Sequence, residues 1–317
     1  MQIIEEYVPV IIPTLCRFEH FKRCVESLQN CVGAEETELY ISVDYPAKPS
    51  HQEGHDKILE FINSGIEGFK DVFVYQQKEN LGATRNLYFL NHEVKKNHYA
   101  SIWSEDDNCF SPNFLLFVNK ALYEYCDDDN VFSVSGYGYP LKQFKGLDSY
   151  YLFPSFSAWG VGIWYEKYEK EFNKFDSLAY SKSVLHSFSK SYRLLIKNPH
   201  VLRALISMVN KNLLYGDTIF ETVQTLEGKY TVFPTLSKSR NYGHDGSGLH
   251  CTNSDEDIYL NQVIDSSRSL NFEIGKGLEN KECEKAMHSY KKEIGGNRFR
   301  IIIKYLLYRM HITLFFK

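Results

Sequence analysis

The sequence predicts an α/β protein, a sheet flanked by helices, with a helical insert and a helical C-terminal tail. Short β-rich apolar runs alternate with amphipathic stretches over the first 135 residues. The alternation is interrupted by a basic, helix-rich stretch near 177–212, and a second basic stretch ends the chain. A length of 317 residues suits one large α/β domain with additions, or two ordinary domains.

Tyr7 to Ile12 reads as a buried strand closed by Pro13. Phe18 to Cys31 follows with Phe21, Cys24, Val25 and Leu28 at helical spacing. Leu39 to Val43 is a second strand ending at Asp44; a helix over Asp56 to Ser64 and a strand over Val72 to Gln76 complete a βαβαβ pattern. Such units form parallel sheets, and their ligands bind at the carboxyl ends of the strands. Leu81 to Lys96 is the next helix and Tyr99 to Trp103 the next strand, with Ser104-Glu105-Asp106-Asp107 directly after it. Pro112 to Tyr125 is helical, Val131 to Ser135 a strand, and Gly136 to Tyr165 a Gly- and aromatic-rich loop region. Ser177 to Asn212, broken at Pro199, reads as an inserted helical pair; Asp217 to Leu226 is a helix, Tyr230 to Phe233 a strand and Lys238 to Thr252 a loop.

Composition narrows the function. With 43% hydrophobic and 24% charged residues the chain is no disordered polymer. Its 36 Lys and Arg against 40 Asp and Glu exclude a polycation that wraps nucleic acid. The seven cysteines include no CxxC pair and are expected as reduced thiols. The N-terminus has acids where a signal peptide has bases, and no stretch reaches the roughly 20 apolar residues of a membrane span. A cytoplasmic location is the expectation. Between Lys291 and Lys317 there are seven basic residues and one acid, Glu293, and on a helical wheel Phe299, Ile302, Ile303, Leu306, Leu307, Met310 and Leu314 form a broad apolar arc. That arc needs a covering surface: its own domain, a second copy in a homodimer, or an anionic membrane.

The strongest chemical signal is Glu105-Asp106-Asp107. Adjacent carboxylates raise one another's pKa unless a cation neutralises them, and a hard divalent metal bridging to a diphosphate is the natural counter-ion. Asp127 to Asp129, which follow a helix, read as a solvated turn.

Read together, PVIIPTLCRFEHFKRCVESL, Asp44, ENLGATRN at 79–86, SEDDNCFSPNFL at 104–115, FPSFSAWGVGIW at 153–164, GDTIFE at 216–221 and LSKSRNYGHDGSGLH at 236–250 occur in an order that resembles the GT-A glycosyltransferases. The layout is similar to the N-acetylglucosaminyltransferase I family and to bacterial family 2 transferases of polysaccharide assembly. The resemblance spans roughly residues 7–252. It implies a Rossmann-like mixed sheet in a domain over 1–255; the helical insert within it and the basic helical tail over 256–317 depart from the family's pattern.

By the same resemblance Pro13, Thr14, Arg17 and Asp44 line the nucleotide pocket. Gly82 and Arg85 face the phosphates, Glu105 and Asp106 face the sugar and ribose hydroxyls, and Asp107 binds Mn²⁺ or Mg²⁺. Trp159 and Gly160 belong to an acceptor-facing loop. His250, preferred over His244 and Asp245, completes the metal shell, and Asp217 is the single general base of an inverting transfer, with Glu221 one turn on as its substitute. The implied activity moves a sugar from a nucleotide diphosphate donor, UDP-sugar favoured, to a saccharide acceptor, lipid-linked, in bacterial surface polysaccharide synthesis at the inner membrane face. A nucleotidyltransferase needs a Gly-rich basic loop that PTLCRFEHF does not supply; a non-catalytic binding protein would have no need of both the acidic triplet and Asp217.

Overall fold

The computed structural model describes residues 6–175, 177–243, 245, 262–278, 280–295 and 297–310. Val10–Thr14 (β1) leads into Phe18–Gln29 (α1), whose buried Phe21, Cys24, Val25 and Leu28 fall at the helical spacing seen in sequence. Glu38–Val43 (β2), Gln52–Asn63 (α2), Asp71–Gln76 (β3), Gly82–Val94 (α3) and Ala100–Trp103 (β4) continue the alternation. Pro13 does not close the first strand but lies inside it. Residues 9 and 11 turn their carbonyls toward β4, where they accept from Ile102 and Ser104, so Pro13 presents its missing N–H to that same side, beyond the end of the β4 ladder.

After β4 come Asn108–Phe110 (β5), Phe114–Glu124 (α4) and Val131–Ser135 (β6). The region read as loop holds two more strands, Tyr150–Phe153 (β7) and Val161–Trp164 (β8). Tyr165–Phe175 (α5) follows, and the insert is three helices rather than a pair: Leu178–His186 (α6), Phe188–Lys197 (α7) and Pro199–Lys211 (α8). Ser177 and Ser187 cap α6 and α7 with their hydroxyls, so a single serine ends one helix and starts the next, and Pro199 stands at the first turn of α8, where it needs no N–H. Gly216–Glu227 (α9), Tyr230–Pro234 (β9) and Ser239–Asn241 (β10) complete the main body. Residues 262–278 are not helical; Asn280–Gly295 (α10) and Arg298–Arg309 (α11) are the tail helices.

Eight strands form one mixed sheet in the order β3-β2-β1-β4-β8-β6-β9-β7, and β5 pairs with β10 in a separate two-stranded ribbon. The first four strands are parallel; β8 and β7 run against their neighbours. Successive β1 residues point to opposite faces: Val10 and Ile12 join α1, α2 and α4 in one core, and Ile11 joins α3, α5, α9 and the insert in another. A third, smaller cluster seats α10 through Cys283, Ala286 and Met287 against Tyr151, Phe153 and Phe233. The coil 262–278 is fastened where buried Lys238 pairs with Asp265 at 2.6 Å and Asn113 donates to the same carboxylate oxygen at 2.6 Å. The six described cysteines are all free thiols. No helix among the described residues is long and apolar enough to cross a membrane.

Candidate active site

The chain winds from β1 outward to β3 and then returns to place β4 on the other side of β1, so the sheet has its switch point between β1 and β4. A crevice at the carboxyl ends of strands at such a point is the standard ligand position in open α/β sheets. The acidic triplet follows β4 directly, and β1 delivers Thr14 opposite it. Thr14 donates its hydroxyl to Asp106 Oδ2 at 2.9 Å. Arg17, in the turn before α1, pairs with Asp106 through Nη2 and with Asp107 Oδ2 through Nη1 at 2.7 Å. Arg17, expected to line the nucleotide pocket, is engaged here by two acids, since crowded buried carboxylates require a local cation. Burial drives the Asp106 pKa upward, and Arg17 only partly offsets it.

The β5–β10 ribbon closes over this floor. Asn241 donates its amide to Asp107 Oδ1 at 2.6 Å and stands 3.1 Å from Glu105 Oε2, bridging two acids that repel each other. Tyr242 N–H bonds the Asp107 carbonyl at 2.8 Å, and a Cβ on Gly243 would lie 2.2 Å from Asp107 Oδ2, so only glycine permits this approach. Asn241 lies within the motif at 236–250, but an uncharged amide there carries no signal in sequence that marks it as a site residue. Ser239 Oγ donates to the Trp159 carbonyl at 2.6 Å, which ties the aromatic loop to the same ribbon; the Trp159 ring stands edge-on to Tyr137 at 4.8 Å, and Gly160 O accepts from Gly136. His250 and His244 lie outside the described residues. Asp245 pairs with His20 at 3.0 Å.

Asp44 and the 79–86 segment form a unit of their own. Asp44 Oδ1 accepts from Leu81 N and Tyr45 N, and Oδ2 accepts from Gly82 N and, at 3.3 Å, from Asn80 Nδ2. With both oxygens committed to the N-terminus of α3, Asp44 acts as a cap and not as an acceptor open to a nucleobase. Gly82 adopts φ +74°, the left-handed region that favours glycine. Arg85 folds back onto the carbonyls of Leu81 and Asn80 at 2.8 and 3.2 Å.

Asp217 opens α9 at the far wall, close enough for its charge to raise the Glu105 pKa. Surrounding protein desolvates Glu105, and Asp107, Asp217 and Asp106 add to the effect, so its carboxyl stands well above the ordinary range. Asp217 itself is pushed up to about 6 by desolvation and by Glu221. Both side chains keep water-accessible faces although protein surrounds them, as groups on a cleft floor do. One turn along α9, Glu221 accepts from Lys291 Nζ at 3.0 Å and from the Ser155 hydroxyl, and its other oxygen stands 2.9 Å from His200 Nε2. Burial opposes its charge, yet Lys291 and His200 hold its pKa far below the usual carboxylate range. Both Glu221 oxygens are engaged and its carboxyl is held ionised by its partners, which makes it a poorer proton acceptor than Asp217. Lys291, counted in sequence among tail cations, is only 2% exposed and is part of this wall.

Among the described residues no three His, Cys, Asp or Glu side chains converge on one metal position. The floor nevertheless offers carboxylate oxygens, with Glu105 and Asp107 joined through Asn241 and Arg17 answering only Asp106 and Asp107. That set fits a hard cation held by one or two carboxylates, with its other positions left to phosphate oxygens.

No family model and no curated protein matches the chain. Among solved structures, the mannosyltransferase PcManGT from Pyrobaculum calidifontis, in complex with GDP-Man and Mn²⁺, is similar over 70% of this chain and 68% of its own, at 12% identity and a TM-score of 0.40. S. aureus TarS is similar over 56% of this chain at 15% identity and a TM-score of 0.35, and this chain spans about a third, 33%, of that one. Residues 1–349 of TarS in complex with UDP-GlcNAc give 16% identity and a TM-score of 0.36, over 56% of this chain and 53% of that one.

Proposed function

We propose that the chain is an inverting, metal-dependent glycosyltransferase that moves one sugar from a nucleotide diphosphate donor, UDP-sugar favoured, to a lipid-linked saccharide acceptor at the cytoplasmic membrane face, within bacterial surface polysaccharide synthesis. The observation that carries this reading is the meeting of Glu105, Asp106 and Asp107 at the sheet's switch point with a single uncompensated carboxylate, Asp217, on the opposite wall. Asp107 and Glu105 would hold Mn²⁺ or Mg²⁺, which when bound supplies positive charge to the departing diphosphate. Arg17 and Asn241 keep the acids in place, and Trp159 offers an aromatic wall on the acceptor side. Asp217 takes the acceptor hydroxyl's proton as that oxygen attacks the anomeric carbon from the face opposite the leaving group. One base and no placed nucleophile give a single displacement and inversion.

A nucleotide panel tests the donor half. UDP at 100 times its dissociation constant, with Mn²⁺, should stabilise the fold by about 2.7 kcal/mol in a thermal-shift titration. Asp107→Asn keeps the size and removes the ligand charge, so the metal-dependent part of that shift should disappear. Unchanged metal dependence in the variant would remove Asp107 from the role.

A further inference from the structure

The basic helical insert has no part in the chemistry above, and its placement gives it one. Residues 177–216 contain six Lys or Arg and no acid, and residues 297–310 contain four and no acid, which leaves the rest of the chain 26 basic against 40 acidic residues. The fold joins these two stretches. Helix α11 runs antiparallel to α7: Arg298 at its start donates to Ile196 O at the end of α7, and Arg309 at its end reaches Leu185 O and His186 O just before α7 begins. Tyr305 Oη bonds Leu185 O at 3.1 Å, and Ile301 and Tyr305 are buried against the insert.

Docking uses that narrow face and leaves the apolar arc outward. On α11, Phe299 is 67% exposed and Met310 59%, with Ile302, Ile303 and Leu306 between them also exposed. On α7, Phe188 is 72% exposed, and Tyr192 and Ile196 continue its stripe one and two turns on, with Phe188 and Tyr192 ring to ring at 6.3 Å. Two adjacent helices, about 15 and 18 Å long by the helical rise, thus both turn large apolar side chains to water. Lys190, Arg193 and Lys197 on α7, and Arg300 and Lys304 on α11, are exposed among them. Solitary exposed apolar residues are ordinary, but two adjacent helices that each turn several large apolar side chains to water, in stretches with basic residues and no acid, have the makeup of interfacial helices.

We propose that α7 and α11 together form a docking surface for an anionic lipid bilayer. The apolar side chains enter the acyl boundary, and the Lys and Arg side chains reach the phosphate layer. The charge decides the occupant: a second copy of this chain would bring the same all-basic strip against itself, whereas anionic headgroups complement it. The insert packs on α9, the helix with Asp217 in its first turn, so a docked bilayer has a short mechanical path to the acceptor wall. That purpose, holding a lipid-linked acceptor beside Asp217, rests on the transferase reading; the docking itself does not.

Flotation of the full chain with phosphatidylcholine vesicles, with and without phosphatidylglycerol, tests it. The protein should float with the anionic vesicles, and added salt should release it. Phe188→Ser with Ile196→Ser, both exposed and away from the catalytic cleft, should weaken flotation by about tenfold or more and leave the melting temperature and turnover of a soluble acceptor unchanged. Lys190→Glu with Arg193→Glu should do the same. Absence of flotation with anionic vesicles, or α7 variants that float like the parent, would overturn the proposal. So would a concentration-dependent dimer, seen by light scattering and dissolved by the α7 variants, without vesicle binding. If vesicles bind and no nucleotide sugar is turned over, the transferase reading fails and the docking surface stands.

Discussion

Asp217 and Glu221 lie one turn apart on the same helix and have opposite electrostatic fates. Desolvation by the surrounding protein acts on both. Glu221 is met by a lysine, a histidine and a serine hydroxyl from three other elements and is fixed as an anion. Among the described residues no cation acts on Asp217; its largest electrostatic neighbour is Glu221 itself, and its pKa is pushed up to about 6. A carboxylate that is fully answered by its surroundings is structural, and one left unanswered beside a cleft is available to take a proton. The two residues look alike in sequence, GDTIFE, and only the partners separate them.

The sharpest way to break this contrast is to neutralise each carboxylate in turn. Asp217→Asn keeps shape and most hydrogen bonding but cannot take a proton, so kcat should fall by roughly 10²–10⁴ while donor affinity holds. Steady-state kinetics with a nucleotide-sugar donor measure this, and NMR of the wild-type product should show the anomeric configuration inverted. Near-normal kcat in the variant would return the base to the list of open questions. Lys291→Met should act on stability: it leaves the buried Glu221 anion without its lysine, held by His200 and Ser155 alone, at a cost of about 3–5 kcal/mol in urea unfolding. Adding Glu221→Gln to that variant should recover much of the loss, since the two side chains form one network. Ser155→Ala comes next in size. Its hydroxyl serves Glu221 and lies 2.9 Å from Lys291 Nζ and 2.8 Å from Tyr139 Oη, so its removal should cost about 1–3 kcal/mol.

The same contrast marks what sequence can carry. The first four parallel strands and their helices were legible because each is a full apolar run or an i, i+3, i+4, i+7 pattern, as at Phe21, Cys24, Val25 and Leu28. The strands Tyr150–Phe153 and Val161–Trp164 were not, since four residues beside Pro154 and Gly160 give no period to read. The triplet Glu105 to Asp107 announced itself by adjacency of like charges. Asn241 did not, being an uncharged amide 134 positions from the Asp107 it holds. Lys291 was hidden for another reason: its neighbours in sequence are basic and surface-like, and burial alone separates it from them. The tail helix shows both sides of this. Of its apolar arc Phe299, Ile302, Ile303, Leu306 and Met310 stand exposed, while Leu314 lies outside the described residues; the structure docks α11 by Ile301 and Tyr305, outside that arc, so the question of what covers it passes from sequence to the neighbouring α7.

The smallest expected effect is also the most diagnostic for the pairing of Asp217 with Glu221. A base must be deprotonated to act, so the rate should fall as pH drops through the Asp217 pKa, about 6, and level off above it. After desolvation, Glu221 is the group that raises this value. Replacing Glu221 and Lys291 together, by Gln and Met, removes that negative charge without leaving a buried ion behind. The acidic limb of the kcat profile should then move to lower pH, with the plateau rate little altered, because lowering the pKa lengthens the range over which Asp217 is ionised. Glu105 also faces Asp217 and stays in place, so the limb should remain above the ordinary aspartate value near 3.8. A limb that moves upward or stays fixed in the double variant, while Asp217→Asn still abolishes turnover, would mean that desolvation alone sets the base and that the Glu221 network only holds the wall together.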